Sequence, residues 1–326
     1  MLKKEYFMSL AYSEMPLDRC TNQRKNKPWL AAVFNHADTL FCVVKDGMSY
    51  FNQSDELLPY YLTKEQLTAQ YSAALSIDTC IFLGKNDSGA FFSVDYDKLR
   101  FSMQESLDDE GQWQRLRQVT ALLKQKDASI LAFAKALVHW HKSHQFCGVC
   151  GHANRLVEAG HARKCTDCRQ MTFPRTDPAV IMLVERLFDD GIARCLLGRQ
   201  KSWPEGIYST LAGFVDPGET LEEAVIREVL EETMIKVNAA QYITSQPWPF
   251  PASIMLGFTA QATSERIQVS QDDLETAKWF SRAELASFSI YKASAQQQLE
   301  GFKMVSNDSI SSHLLTAWKN KTIGIY

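Results

Sequence analysis

Four cysteines in the segment CGVCGHANRLVEAGHARKCTDC restrict this chain more than any other feature. Cys147, Cys150, Cys165 and Cys168 form two C-x-x-C pairs separated by fourteen residues. Four soft thiolates in that arrangement suit one tetrahedral Zn²⁺ per chain, each pair supplying two ligands through a tight turn that Gly148 or Gly151 eases. A redox C-x-x-C comes singly on a thioredoxin-like unit, so the doubled pair reads as structural zinc. A shell of four thiolates leaves no position open for substrate. Cys20, Cys42, Cys80 and Cys195 are scattered, which argues against a disulfide framework. With the cysteine spacing complete, His152 and His161 read as surface histidines. Arg155, Arg163, Lys164 and Arg169, set against Glu158 and Asp167, make only a weak case for a nucleic-acid-binding ribbon.

The chain is long enough to carry more than this ribbon. It has 326 residues, 45% hydrophobic and 22% charged, sufficient for two or three domains. A net charge of −3 disfavours a strongly basic nucleic-acid binder, so a polyanionic substrate would need local cations or metal. The start, MLKKEYFMSLAYSEMP, lacks the apolar core and cleavage site of a secretory signal. No stretch approaches ~18 uninterrupted apolar residues. The expectation is a soluble, cytoplasmic protein with no membrane partner.

Residues 1–125 alternate apolar runs such as TLFCVV and DTCIFLG with turn-like KDGM and GKNDSGA, which predicts a mixed, strand-rich N-terminal domain. Residues 126–172 read as a connecting helix, DASILAFAKALVHWHKSH, followed by the ribbon. Asp127 is the expected N-cap, with Ile130, Phe133, Ala134 and Leu137 at helical spacing. Residues 173–326 form a third domain. There AVIMLVER and ARCLLGR flank DDG as a hairpin, and STLAGFV reads as another buried strand.

The stretch GFVDPGETLEEAVIREVLEETMI then poses a problem of charge. Thr220 followed by Glu223 is a capping box, so a helix should begin at Leu221. On it Glu228 and Glu232 continue the line of Leu221 and Val225, while Glu231 continues that of Ala224. Three carboxylates on the prolongation of an apolar face repel one another and call for a cation. Clustered oxygen donors with room for water suit Mg²⁺ or Mn²⁺, which bind phosphate oxygens and acidify water. An acidic stripe paired with arginines is the plainer alternative.

The wider spacing decides between them. Gly213, Glu219, Arg227, Glu228, Val229, Glu231, Glu232 and Ile235 fit G-x5-E-x7-R-E-U-x-E-E-x-G-U, where U is a bulky aliphatic, and this resembles the box of the Nudix hydrolases. The one departure is Met234, where the family has glycine; a side chain at φ > 0 there costs ~1 to 2 kcal/mol. Downstream, SQPWPFPAS alternates prolines with Trp248 and Phe250, a stiff strip with flat faces suited to stacking on a base. Box, ribbon and strip together, in order from about Trp113 to Trp279, resemble the NADH pyrophosphatase branch of the family.

That resemblance implies an α+β chain, with a Nudix α/β/α sandwich behind the zinc ribbon and the N-terminal domain. It implies metal ligation by Glu228, Glu232 and the Ala212 carbonyl, with Glu231 as ligand or base and Asp273 as a further ligand replacing the family's glutamate. Arg227 would orient a glutamate and Glu219 would support the loop. The dinucleotide would be lined by Gln246, Pro247, Trp248, Pro249, Phe250, Pro251, Ala252 and Ser253, with Phe173, Phe214, Arg117 and Ser311 as further contacts. The implied activity is hydrolysis of NADH and NAD⁺ to AMP and nicotinamide mononucleotide by a homodimer, with removal of NAD caps from RNA 5′ ends as a second use. The alternatives are a hydrolase of another diphosphate such as ADP-ribose, or a non-catalytic nucleotide sensor.

Overall fold

The computed structural model describes residues 10–69, 76–99, 101–269, 274–290, 302–304 and 308–326. The chain separates into two compact units: Tyr12–Thr176 with Trp248–Ala252, and Asp177–Pro247 with Ser253–Tyr326, to which Leu10 and Ala11 also belong.

In chain order the first unit comprises α1 (Lys27–Phe34), β1 (Leu40–Lys45), β2 (Met48–Phe51), β3 (Leu62–Thr63), α2 (Lys64–Ala69), β4 (Ile81–Asn86), β5 (Gly89–Asp95), α3 (Phe101–Glu110), β6 (Gln112–Arg115), α4 (Leu116–Val119), α5 (Gln125–Ser143), β7 (Asn154–Val157), β8 (Ala162–Cys165) and β9 (Met171–Thr172). The apolar runs of the N-terminal half become a six-stranded sheet ordered β4-β5-β1-β2-β6, with β3 also on β1. In its core Phe41 stacks on Phe92, and Phe34 and Phe82 meet Phe92 edge to face. Helix α5 packs on β1, β4 and β5. It starts three residues earlier than Asp127 would set it, with Lys124 at the N-cap. Asp127 lies instead in the first turn, where the amide dipoles favour a carboxylate and Tyr61 Oη donates to it at 3.1 Å.

Strands β7, β8 and β9 form the ribbon's three-stranded sheet, with Arg155 registered against Lys164. His161 departs from its expected surface place. Its ring lies against Phe133, its Nε2 is 2.6 Å from the Phe82 carbonyl, and burial lowers its pKa to about 4. The exposed His152 stays beside Asp167 at 3.7 Å.

The second unit holds β10 (Asp177–Leu187), β11 (Ala193–Arg199), β12 (Ile207–Tyr208), β13 (Leu211–Phe214), α6 (Leu221–Thr233), β14 (Val237–Trp248), β15 (Ser253–Ala262), β16 (Thr276–Ser281), α7 (Arg282–Ala286), β17 (Ser289–Ile290), β18 (Lys303–Met304) and α8 (Ile310–Lys319). Its main sheet runs β14-β15-β10-β11-β16, with β13 also on β10, and β12, β18 and β17 form a second small sheet. The mixed pairing includes a parallel β10–β15 ladder and the expected β10–β11 antiparallel hairpin. Strand β10 is buried from Ala179 to Glu185 because alternate side chains enter two cores. Val180, Met182 and Val184 join Ala224, Val225 and Val229 of α6. Ile181 and Leu183 join Leu314, Leu315 and Trp318 of α8. A helix therefore covers each face, the α/β/α sandwich.

Strand β13 differs from the buried strand its sequence suggests. Only Leu211 is buried in it, and Phe214 is 60% exposed, because the strand is short and packs through alternate residues.

Candidate active site

Helix α6 begins at Leu221 because Thr220 Oγ1 accepts from the Glu223 amide at 3.2 Å while Glu223 Oε2 accepts from the Thr220 amide at 2.7 Å. That reciprocal cap fixes the helix phase, and with it the carboxylates. The helix ends at Met234, which takes φ 57° and ψ 14°, the left-handed conformation that glycine adopts without strain.

One arginine organises the acids. Arg227 donates to Glu219 through Nε (3.1 Å) and Nη2 (2.6 Å), to Glu228 through Nη1 (2.8 Å), to Glu231 through Nη1 (3.1 Å), and to the Phe214 carbonyl through Nη2 (2.7 Å). Glu219 also accepts from the Asp216 amide at 2.7 Å, so it pins both the loop and the guanidinium. Glu219 and Glu228 side chains are equally shielded, each 15% exposed, yet their acidities move apart. The paired bonds from Arg227, with the Asp216 amide, hold Glu219 below the usual carboxylate range. Glu228 is raised because desolvation outweighs its bond to Arg227. Arg227 itself is raised, first by Glu219. Divergent carboxylates sharing one cation are a mark of functional sites.

Gly213 explains how Glu228 comes so close to the sheet. A Cβ there would overlap the Glu228 carboxylate, so only glycine lets that group lie against β13 beside Ala212. Ala212 is exposed and registers with Ile181. Glu232 is buried, whereas Glu231 is 61% exposed and leaves the apolar face expected of it. A groove of about 470 Å³ runs past Glu219, Arg227 and Glu231. The three glutamates do not form a group with ligand atoms within 4.8 Å of one another; among the described residues only ribbon side chains do. Glu228 and Glu231 instead share the Nη1 group of Arg227.

In the ribbon the four thiols converge within 4.8 Å, with Cys147 Sγ 3.7 Å from Cys168 and Cys150 Sγ 3.4 Å from Cys165. All four are free thiols. The amides of Val149 and Asp167 point at Cys147 and Cys165, each at 3.4 Å, and amides from Cys150 and Val149 lower Cys147 to about 7. Gly151 and Arg169, each just after the second cysteine of its pair, both take positive φ. The donor set fits zinc.

The strip is divided by its contacts. Gln246 is fully buried, its Nε2 donating to the Asp308 carbonyl (2.7 Å) and its Oε1 accepting from the Ile310 amide (2.8 Å), so it holds the start of α8. Ser311 is buried too, bonded to Ser209 (2.8 Å) and Thr210 (2.9 Å). Pro247 and Pro251 are exposed, Pro249 is buried, and Ala252 and Ser253 are half-buried. Trp248 and Phe250 meet edge to face at 5.2 Å, Arg117 lies over Trp248 at 5.1 Å, and Lys135 lies over Phe250 at 5.1 Å. Phe173 is exposed in the first unit. Asp273 lies outside the described residues. Two participants escaped the sequence reading: the Phe214 carbonyl, which has no side-chain signal, and Lys135, which meets the strip 114 residues away.

Comparison with known proteins turns this geometry into a family. Residues 176–299 match the NUDIX domain, residues 142–173 the NADH pyrophosphatase zinc ribbon domain, and residues 22–140 the NADH pyrophosphatase-like rudimentary NUDIX domain. The human protein named NAD(P)H pyrophosphatase NUDT13, mitochondrial, is 37% identical over 276 residues, covering 80% of this chain and 77% of that one. The chain belongs to the Nudix hydrolase family. Within it the chain falls in the NADH pyrophosphatase branch with a zinc ribbon. Human NAD-capped RNA hydrolase NUDT12 is 34% identical over 311 residues, 84% of this Nudix chain and 66% of its own length. NAD-capped RNA hydrolase NudC of Pseudomonas putida is 43% identical over 152 residues, 47% of this chain and 53% of its own. This chain thus spans just under two thirds of the first of these two relatives and about half of the second.

Proposed function

We propose that this chain is a metal-dependent pyrophosphatase that cleaves the diphosphate of NADH, and of NAD⁺, to AMP and nicotinamide mononucleotide, and that the same site removes NAD caps from RNA 5′ ends. The observation that carries the reading is the Arg227 clamp, which binds Glu219 through two nitrogens and holds Glu228 where it lies against β13 at Gly213. The names of the relatives support the substrate class.

The donors are all hard oxygens, which fit a divalent ion, Mg²⁺ or Mn²⁺. Glu228, Glu232 and the Ala212 carbonyl would hold it, with Asp273 as a further ligand. Such an ion would offset the charge of the diphosphate and lower the pKa of water, so that it loses a proton more easily and attacks phosphorus. Glu231, exposed and tied to Arg227 by one bond of 3.1 Å, is the carboxylate most able to turn toward the attacking water and accept its proton. Arg227 holds Glu228 and Glu231 until then, and Glu219 keeps Arg227 in place. In this reading the dinucleotide contacts are drawn from Pro247 to Ser253, Arg117, Phe173 and Phe214, while Gln246 and Ser311, both buried and bonded within the fold, secure α8 instead.

The chain works in three parts, an N-terminal domain (1–125), a helix and ribbon (126–172) holding one structural zinc, and the hydrolase (173–326), as a homodimer in the cytoplasm. Free thiolates and an intracellular dinucleotide both accord with a reducing compartment. The test is product chromatography after incubation with Mg²⁺ or Mn²⁺ and, separately, NADH, NAD⁺, ADP-ribose and ATP. AMP from NADH, faster than turnover of the others, is expected; no AMP from NADH with either metal refutes the reading.

A further inference from the structure

Around the tip of the strip, within the first unit, lie three cations with no ion pair among the described residues: Arg115, Arg117 and Lys135. Lys135 is the most unusual. Its ammonium is half-buried, donates to the Pro249 carbonyl at 2.6 Å and lies over Phe250, and desolvation together with the nearby Arg115 lowers its pKa. Gly47, whose added Cβ would stand 3.5 Å from the Lys135 side chain, follows Asp46, and that acid is engaged elsewhere, by Lys142 at 3.8 Å. Burying a cation beside a second cation, without a carboxylate, is unfavourable unless an anion joins them.

The cations alternate with aromatic rings. Arg117 goes with Trp248 and Lys135 with Phe250, while Tyr12 packs against both rings at 6.5 and 5.9 Å and leaves each half-buried. Interleaved rings and cations are the arrangement that binds single-stranded nucleic acid, rings taking bases and cations the backbone. We propose that Arg115 and Lys135, extending the Arg117 position, form a backbone-phosphate track for the single-stranded RNA that follows an NAD cap. This rests on the reading of the chain as a dinucleotide pyrophosphatase.

The experiment is fluorescence anisotropy of the full chain with a labelled NAD-capped oligoribonucleotide, without divalent metal, across salt. Each single-strand contact contributes a log–log slope of about −0.7, so affinity lost between about 50 and about 200 mM salt should shrink roughly 2.6-fold for each cation removed. Arg115→Gln, on an exposed residue, should reduce the slope by that increment and leave NADH hydrolysis unchanged. Lys135→Met should do the same to the slope, and Lys135→Arg should restore it. Unchanged slopes in both neutral variants, or equal losses for NADH and capped RNA in Arg115→Gln, overturn the track. Wild-type chain that hydrolyses NADH but binds capped RNA no better than the variants refutes the track alone. Chain that binds capped RNA with the expected slopes but hydrolyses no NADH refutes the pyrophosphatase reading and leaves the track standing.

Discussion

Replacing Gly213 by alanine isolates the geometry of Glu228 without touching any charged group. The new methyl would occupy space now held by the Glu228 carboxylate, which must retreat by more than about 1 Å to restore an ordinary carbon–oxygen contact. That retreat stretches or breaks its 2.8 Å bond from Arg227. A charge-assisted hydrogen bond to a largely shielded carboxylate contributes about 1.5 to 3 kcal/mol, and a strained rotamer adds up to about 1, so destabilisation of about 2 kcal/mol follows. The kinetic effect should be larger in kind, since misplacing a reacting group by about 1 Å costs about 100-fold. Thermal unfolding by circular dichroism and steady-state AMP release from NADH measure the two. A folded Gly213→Ala chain with wild-type kcat would show that Glu228 need not lie against β13 and would refute the reasoning.

Other expectations follow from single observations. Met234→Gly removes the left-handed strain of an exposed helix end and should stabilise the chain by about 1 kcal/mol in denaturant melts; a loss of stability would contradict that reading of the helix exit. His141 is buried, its Nε2 2.8 Å from the Gly160 carbonyl and its Nδ1 2.9 Å from Arg163, which makes it a neutral ring, and burial lowers its pKa to about 4. The unfolded chain therefore binds more protons between about pH 6.5 and 4, so stability is full above that window and falls through it, by on the order of 3 kcal/mol at most. Unfolding curves at pH 7 and 5, with zinc release followed separately, should show a shallower pH slope in His141→Gln; an identical slope removes His141 from the account. Elemental analysis of chain purified without chelator should give one zinc per chain, and stripping it should lower the melting temperature of the first unit; a stoichiometry near zero would count against the site.

Legibility followed the range of the interactions. The start of α6 at Leu221 was readable because a capping box is settled within four residues. The zinc ligands were readable for the same reason, each pair closing within one turn. Strand β10 showed its apolar run but not which residue faces which helix, since that depends on the partners on both sides of the sheet. Asp127 does not cap α5, and Tyr61, more than sixty residues away, gives its carboxylate another partner. The place of His161 is hidden from local sequence because its partner, the Phe82 carbonyl, lies 79 residues back and carries no side-chain signal. The anchoring of Gln246 at α8, like that of Trp248 and Phe250 beside Arg117 and Lys135, was equally beyond local patterns.

The most direct test of the central claim compares wild-type chain with Glu232→Gln in one assay, AMP released from NADH as Mn²⁺ is titrated. If α6 holds the ion that drives diphosphate hydrolysis, wild type should show metal-dependent turnover and Glu232→Gln should lose most of it while unfolding at the wild-type temperature. Equal turnover by the two chains, or release that does not depend on the metal, would contradict the account.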